Sequence, residues 1–147
     1  MEISADSRAL AQDLLDFIDA SPSPWHAVET VAERLQHSGF VALREDERWQ
    51  LAAGGRYYVI RGGSSIIAFA VGSAALAESG FRLIGAHTDS PGLRVKPKAL
   101  QAGDGLLRLG VEVYGGPILA TFADRDLSLA GRGAVRIDAG PSLRLGR

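Results

Sequence analysis

The chain has 147 residues, 46% of them hydrophobic, which is enough material for one domain with a real core and excludes disorder over the whole length. Sixteen Lys plus Arg stand against seventeen Asp plus Glu, a net charge of -1, so the total gives no sign of a nucleic-acid partner or an acidic surface. There is no cysteine, so disulfides, thiolate nucleophiles and Cys-based zinc sites are excluded and any metal must be held by His and carboxylates.

The charge is unevenly spread. From Arg94 onward there are nine basic and five acidic residues, against seven basic and twelve acidic before it, a pattern that differing exposed faces explain without a basic binding surface. The first six residues carry no basic residue ahead of an apolar stretch, so they do not read as a secretory signal. The longest apolar run, residues 66–77, is broken by Gly72 and Ser73 and falls short of the ~20 residues that span a bilayer. A soluble, cytoplasmic protein with no membrane partner is expected.

In chain order, Leu10, Leu14, Phe17 and Ile18 recur at helical spacing between Ser4 and Ala20, with Asp13, Asp16 and Asp19 elsewhere on the wheel. This predicts an amphipathic first helix. Ser21-Pro22-Ser23-Pro24 stops it and starts a second, because Ser23 suits an N-cap and Pro24 the first helical position, where an N–H has no partner. The apolar face of this second helix is Trp25, Val28, Val31 and Leu35, and Gly39 is its expected stop through easy access to positive φ.

Beyond Gly39 the period becomes extended: residues 40–43, then 57–60, then 66–71. Gly62 and Gly63 between the last two runs predict an antiparallel hairpin. Residues 72–80 read as a connection, and residues 81–86 as a short apolar strand suited to the middle of a sheet. The remainder, residues 93–95, 106–114 and 119–137, is glycine-interrupted and extended or turn-like. The fold class expected is therefore α/β: two helices and a mixed sheet over residues 1–95, leading into a β-rich unit over residues 96–147, with the junction at residues 94–98.

The stretch with most chemical content is Gly85-Ala86-His87-Thr88-Asp89-Ser90-Pro91, which sets a His and a carboxylate two residues apart at the end of an apolar segment. In open α/β sheets, ligand sites collect at the carboxyl ends of strands. His87 could bind a divalent metal as a neutral imidazole while Asp89 accepts the N–H of its other ring nitrogen. Spacing alone leaves the alternative open, a strand-terminal turn in which Asp89 caps the backbone. His26 and His37 fall in the first and last turns of the second helix and are expected to be surface residues. Tyr114-Gly115-Gly116-Pro117 and Asp124-Arg125-Asp126 are expected to be structural, through close backbone approach and an ion-pair network.

Taken together, residues 21–28, residues 85–94 with Lys96-Pro97, and residues 113–116 with 124–132 resemble three successive signatures of the aspartyl aminopeptidase family, in order and in spacing. The resemblance covers about residues 14–132. It implies an α/β peptidase domain holding two zinc ions, interrupted by a β-rich dimerisation domain. It also implies a large homo-oligomer that removes acidic N-terminal residues from peptide substrates. By that resemblance His87 corresponds to the first zinc ligand and Asp89 to the catalytic-site carboxylate that orients it. The family's general base, bridging Asp and further His ligands have no counterpart, since the sequence holds no Glu-Glu pair and no His after His87. An N-terminal portion that is inactive alone is therefore expected, the alternative being a non-catalytic self-association module derived from the same fold. A phosphate site on Gly62-Gly63-Ser64-Ser65 is disfavoured, because no Lys or helix N-terminus accompanies those glycines.

Overall fold

The structure is a computed structural model that describes residues 3–137 and 140–146. Its elements are α1 (Ala5–Ala20), α2 (Pro24–His37), β1 (Val41–Leu43), β2 (Arg56–Arg61), β3 (Ser65–Ala70), a one-turn α3 (Leu76–Ser79), β4 (Gly92–Gly103), β5 (Leu106–Tyr114), a 3-10 turn (Leu119–Phe122), β6 (Gly131–Ile137) and β7 (Gly140–Gly146). This is a mixed α/β arrangement of two N-terminal helices followed by mixed and antiparallel sheets. The described residues form two compact units, one made of everything up to Thr88 with everything from Leu129 on, the other Asp89–Ser128.

In the first unit, Ser4 caps α1 by accepting the Ser7 N–H, and Ser23 with Pro24 starts α2 as their chemistry requires. Gly39 closes α2 with φ +80°, a conformation that costs glycine nothing. The three-stranded sheet runs β1-β2-β3, with β1 parallel to β2 and β2 antiparallel to β3 through the turn at Gly62 and Gly63. The core lies where α2 meets this sheet. Val28 is 2% exposed, Ala27 and Ala32 are buried beside it, and Tyr57, Tyr58 and Val59 supply the sheet side. Both tyrosine hydroxyls are satisfied: Gln36 Nε2 donates to Tyr58 Oη at 2.6 Å, and the Ala52 N–H donates to Tyr57 Oη at 2.9 Å.

Two expectations are corrected here, and the third finding concerns a helix that forms as expected. Residues 81–86 are not a strand: Phe81, Leu83 and Ile84 are 78%, 90% and 100% exposed, and among the described residues no strand pairs with them. An extended apolar segment becomes a strand only when a neighbour takes its N–H and C=O groups. His26 is not on the surface but 6% exposed, with its Nδ1 sharing a 2.7 Å hydrogen bond with Ser23 Oγ. The capping serine that begins α2 thus also satisfies the imidazole. The amphipathic face of α1 forms but is left open, for no residue of α1 is buried and Leu10, Leu14 and Ile18 are exposed. Phe17 is half-covered, with the Arg34 guanidinium 5.2 Å from its ring centroid, and Arg34 also pairs with Asp13 at 2.9 Å.

The second unit is built on the antiparallel pair β4-β5. Its turn is Asp104-Gly105, both at positive φ, the geometry that twists a two-residue hairpin to match its strands. A bulge between Val95 and Leu100 includes Lys98 at φ 55°.

Candidate functional site

Asp89 opens the second unit and is half-buried. The β4-β5 register sets Gly92 opposite Tyr114 and Arg94 opposite Glu112, so the end of β5 returns to the start of β4, three residues after Asp89. There the Tyr114 hydroxyl donates to Asp89 Oδ2 at 2.6 Å, the short distance of a charge-assisted bond. The Arg94 guanidinium carbon lies 4.1 Å from the Tyr114 ring centroid, a cation–π stack. The hydrogen bond to Asp89 raises the Tyr114 hydroxyl above its usual pKa, helped by the negative charge of that carboxylate and by burial, while Arg94 pulls the other way. Immediately afterwards Gly115 turns the chain at φ +71°, and a Cβ there would sit 3.3 Å from the Pro91 side chain. Tyr114-Gly115 is thus a close-approach element folded against Ser90-Pro91.

In the first unit, His87 is exposed and Thr88 is half-buried, with Thr88 Oγ1 donating to the Ser64 carbonyl at 2.9 Å. The same turn is held from another side by Arg132, whose Nη1 donates to the Gly62 carbonyl at 3.1 Å while the guanidinium stacks over Trp25 at 5.0 Å. Gly63, at φ +73°, faces Arg132 so closely that a Cβ would come within 3.1 Å of it. The Gly62 and Ser64 carbonyls therefore serve as acceptors that fix the turn against Arg132 and Thr88, a structural use of this segment. His37 sits in the last turn of α2, exposed as expected, with its Nδ1 2.7 Å from the Glu33 carbonyl oxygen. Asp124, Arg125 and Asp126 are all exposed, just past the 3-10 turn. A shallow groove of about 360 Å³ along α2, lined by Trp25, Val28, Glu33, Tyr58 and Arg132 among others, contains neither His87 nor Asp89.

Among the described residues no group of three or more His, Asp or Glu side chains is arranged to hold a metal. A catalytic zinc takes three protein ligands plus a water. The donors described here do not complete such a site. No reaction step follows from them alone; residues 87–89 offer an exposed imidazole at His87 and, at Asp89, a carboxylate anchored by tyrosine.

Two helices with mixed and antiparallel sheets define a mixed α/β chain, and comparison with known proteins narrows the class. The family model described as Aminopeptidase I zinc metalloprotease (M18) matches residues 17–143, and this chain belongs to that family. It is 58% identical over 123 residues to the Probable M18 family aminopeptidase 2 of Stutzerimonas stutzeri strain A1501, a match covering 84% of this chain and 29% of the relative. In structure it is similar to a chain of the Ape4 and Nbr1 complex, with TM-score 0.87 and 43% identity over 99% of this chain and 29% of that one. It is also similar to the yeast aminopeptidase 1 (Ape1), with TM-score 0.83 and 33% identity over 93% of this chain and 33% of that one. The chain thus spans about a third or less of the proteins it matches.

Proposed function

We propose that this chain is the part of a zinc-dependent aminopeptidase that contributes His87 as a metal ligand and Asp89 as the carboxylate orienting its imidazole, in an enzyme that removes acidic N-terminal residues from peptides. The supporting observation is the family match across residues 17–143, which includes the whole Gly85-to-Pro91 segment. Imidazole ligands commonly give their second ring N–H to a carboxylate, which fixes the tautomer and raises ligand basicity, so a His-x-Asp pair suits this role. The remaining ligands and the general base of the family have no equivalent among the residues described, and we assign them to sequence outside this chain. On this reading the two-helix and mixed-sheet part belongs to the peptidase domain and the β-rich part begins an inserted self-association domain.

A second reading is favoured by a separate observation, the uncovered apolar residues of α1 and of residues 81–84. It makes the 147-residue chain a self-association module without catalysis. One similar structure is that of an mApe1 dodecamer, which supports assembly in either case.

Zinc titration of the 147-residue chain and its His87→Ala variant, alongside an assay on a peptide with N-terminal Asp, tests the first reading. Weak zinc binding that requires His87 is expected, with no turnover. Zinc binding indifferent to His87 would refute the ligand assignment, and efficient turnover by this chain would refute the division of the site between it and further sequence.

A further inference from the structure

We infer that Tyr114, backed by Arg94, is the positioning residue for the Asp89 carboxylate, so that the β4-β5 hairpin fixes the rotamer from which Asp89 acts. The inference rests on the proposed role of Asp89 as the carboxylate that orients a metal-binding imidazole. Its geometry lies entirely within the second unit.

Three observations combine. First, the Tyr114 hydroxyl donates to Asp89 Oδ2 at 2.6 Å, which ties down one carboxylate oxygen and with it the side-chain torsion. A phenylalanine would fill the same space; only the hydroxyl makes this bond. Second, Arg94 is held over the Tyr114 ring, 4.1 Å from its centroid. Arg94 lies diagonal to Tyr114 across the hairpin, because its register partner is Glu112 and the residue opposite Tyr114 is Gly92. Gly92, opposite Tyr114, brings no side chain of its own to the pair, and the diagonal position is within reach of a long side chain such as Arg94. Third, Gly115 at φ +71° brings the backbone after Tyr114 against Pro91, which clamps the end of β5 onto the segment that follows Asp89. The ring is therefore fixed by a stack on its face, a hydrogen bond at its tip and a tight turn at its base.

A loop-closing role alone would stabilise the unit without altering what Asp89 does, so the test reads the carboxylate itself. The side-chain carboxyl carbon resonance of Asp89 is measured in the protein and in its Tyr114→Phe variant, with the amide spectrum as a check that the fold is kept. Affinity for Zn²⁺ alone is measured by competition with a chromogenic chelator in the same proteins and in Asp89→Asn, Tyr114→Phe with Asp89→Asn, and His87→Ala. The expected result is a shifted Asp89 resonance and a loss of zinc affinity of about tenfold in Tyr114→Phe, the size usual for groups that support a ligand. Once Asp89 is already Asn, the same substitution adds nothing. An unmoved Asp89 resonance overturns the proposal, and so does an equal loss of affinity in the Asp89→Asn background. Zinc binding unchanged in His87→Ala would instead defeat the metal-ligand reading, and the Asp89 resonance would then decide the Tyr114 contact by itself.

Discussion

Residues 57–60 and residues 81–84 are apolar segments of similar length and character, yet they end in opposite environments. Tyr57, Tyr58 and Val59 are buried in the middle strand of a three-stranded sheet with α2 packed on it, whereas Phe81, Leu83 and Ile84 lie extended and bare. The difference is not in hydrophobicity but in pairing. β2 has a backbone partner on each side, β1 in parallel and β3 in antiparallel register, and among the described residues 81–84 have none. Burial in a sheet needs neighbours that satisfy the backbone before side chains can leave water.

The most severe way to break this comparison is to empty the buried side of it. Tyr58 is 3% exposed and bonded to Gln36, so Tyr58→Ala should cost about 3 kcal/mol or more through the cavity and the lost partner, read as a drop in the denaturant midpoint. A smaller loss, roughly 1–2 kcal/mol, is expected for Gly115→Ala, because the new Cβ must adopt positive φ and press on Pro91. That variant should disturb amide resonances of the second unit and leave those of β2 unchanged.

Smaller still is the exposed Arg44-Asp46 pair beside β1, held at 2.7 Å. Arg44 holds the Asp46 carboxyl below its ordinary pKa chiefly by hydrogen bonding. A depressed carboxylate contributes stability above its unfolded pKa and loses it as pH falls through the folded value, so the contribution of this pair is intact at neutral pH and disappears in acid. Asp46→Asn should lower the thermal midpoint slightly at pH 7, less in high salt, and not at all well below the carboxylate range. The smallest change belongs to the bare segment. Ile84→Ser should leave the stability of this chain within about 0.5 kcal/mol of the parent, since the side chain is fully exposed. A large loss there would show that residues 81–84 are covered in solution.

What could be read in the sequence was local chemistry. Ser23-Pro24 at the start of α2, Gly39 at its end and the Gly62-Gly63 turn each announce a backbone conformation through their own side chains, and each is found as expected. The Asp104-Gly105 turn carries the same kind of signal, a strong hairpin dipeptide between two extended runs, and reading it would have shown how far β4 and β5 extend. His26 misled because its helix-terminal position suggested exposure, whereas burial is decided by what α2 packs against.

The link between Asp89 and Tyr114 spans 25 residues and depends on strand register, so no spacing rule reveals it. Tyr114 was visible only as a neighbour of two glycines. Its hydroxyl acquires meaning once β5 is laid against β4 with Gly92 opposite.

The central claim is that His87 binds zinc. X-ray absorption at the zinc edge on the zinc-loaded chain tests it most directly, through imidazole scattering at the usual zinc–nitrogen distance of about 2.0–2.1 Å. The account predicts that this signal is lost in His87→Ala and kept in His26→Ala and His37→Ala. Imidazole scattering that survives His87→Ala and vanishes with either of the other histidines would contradict it.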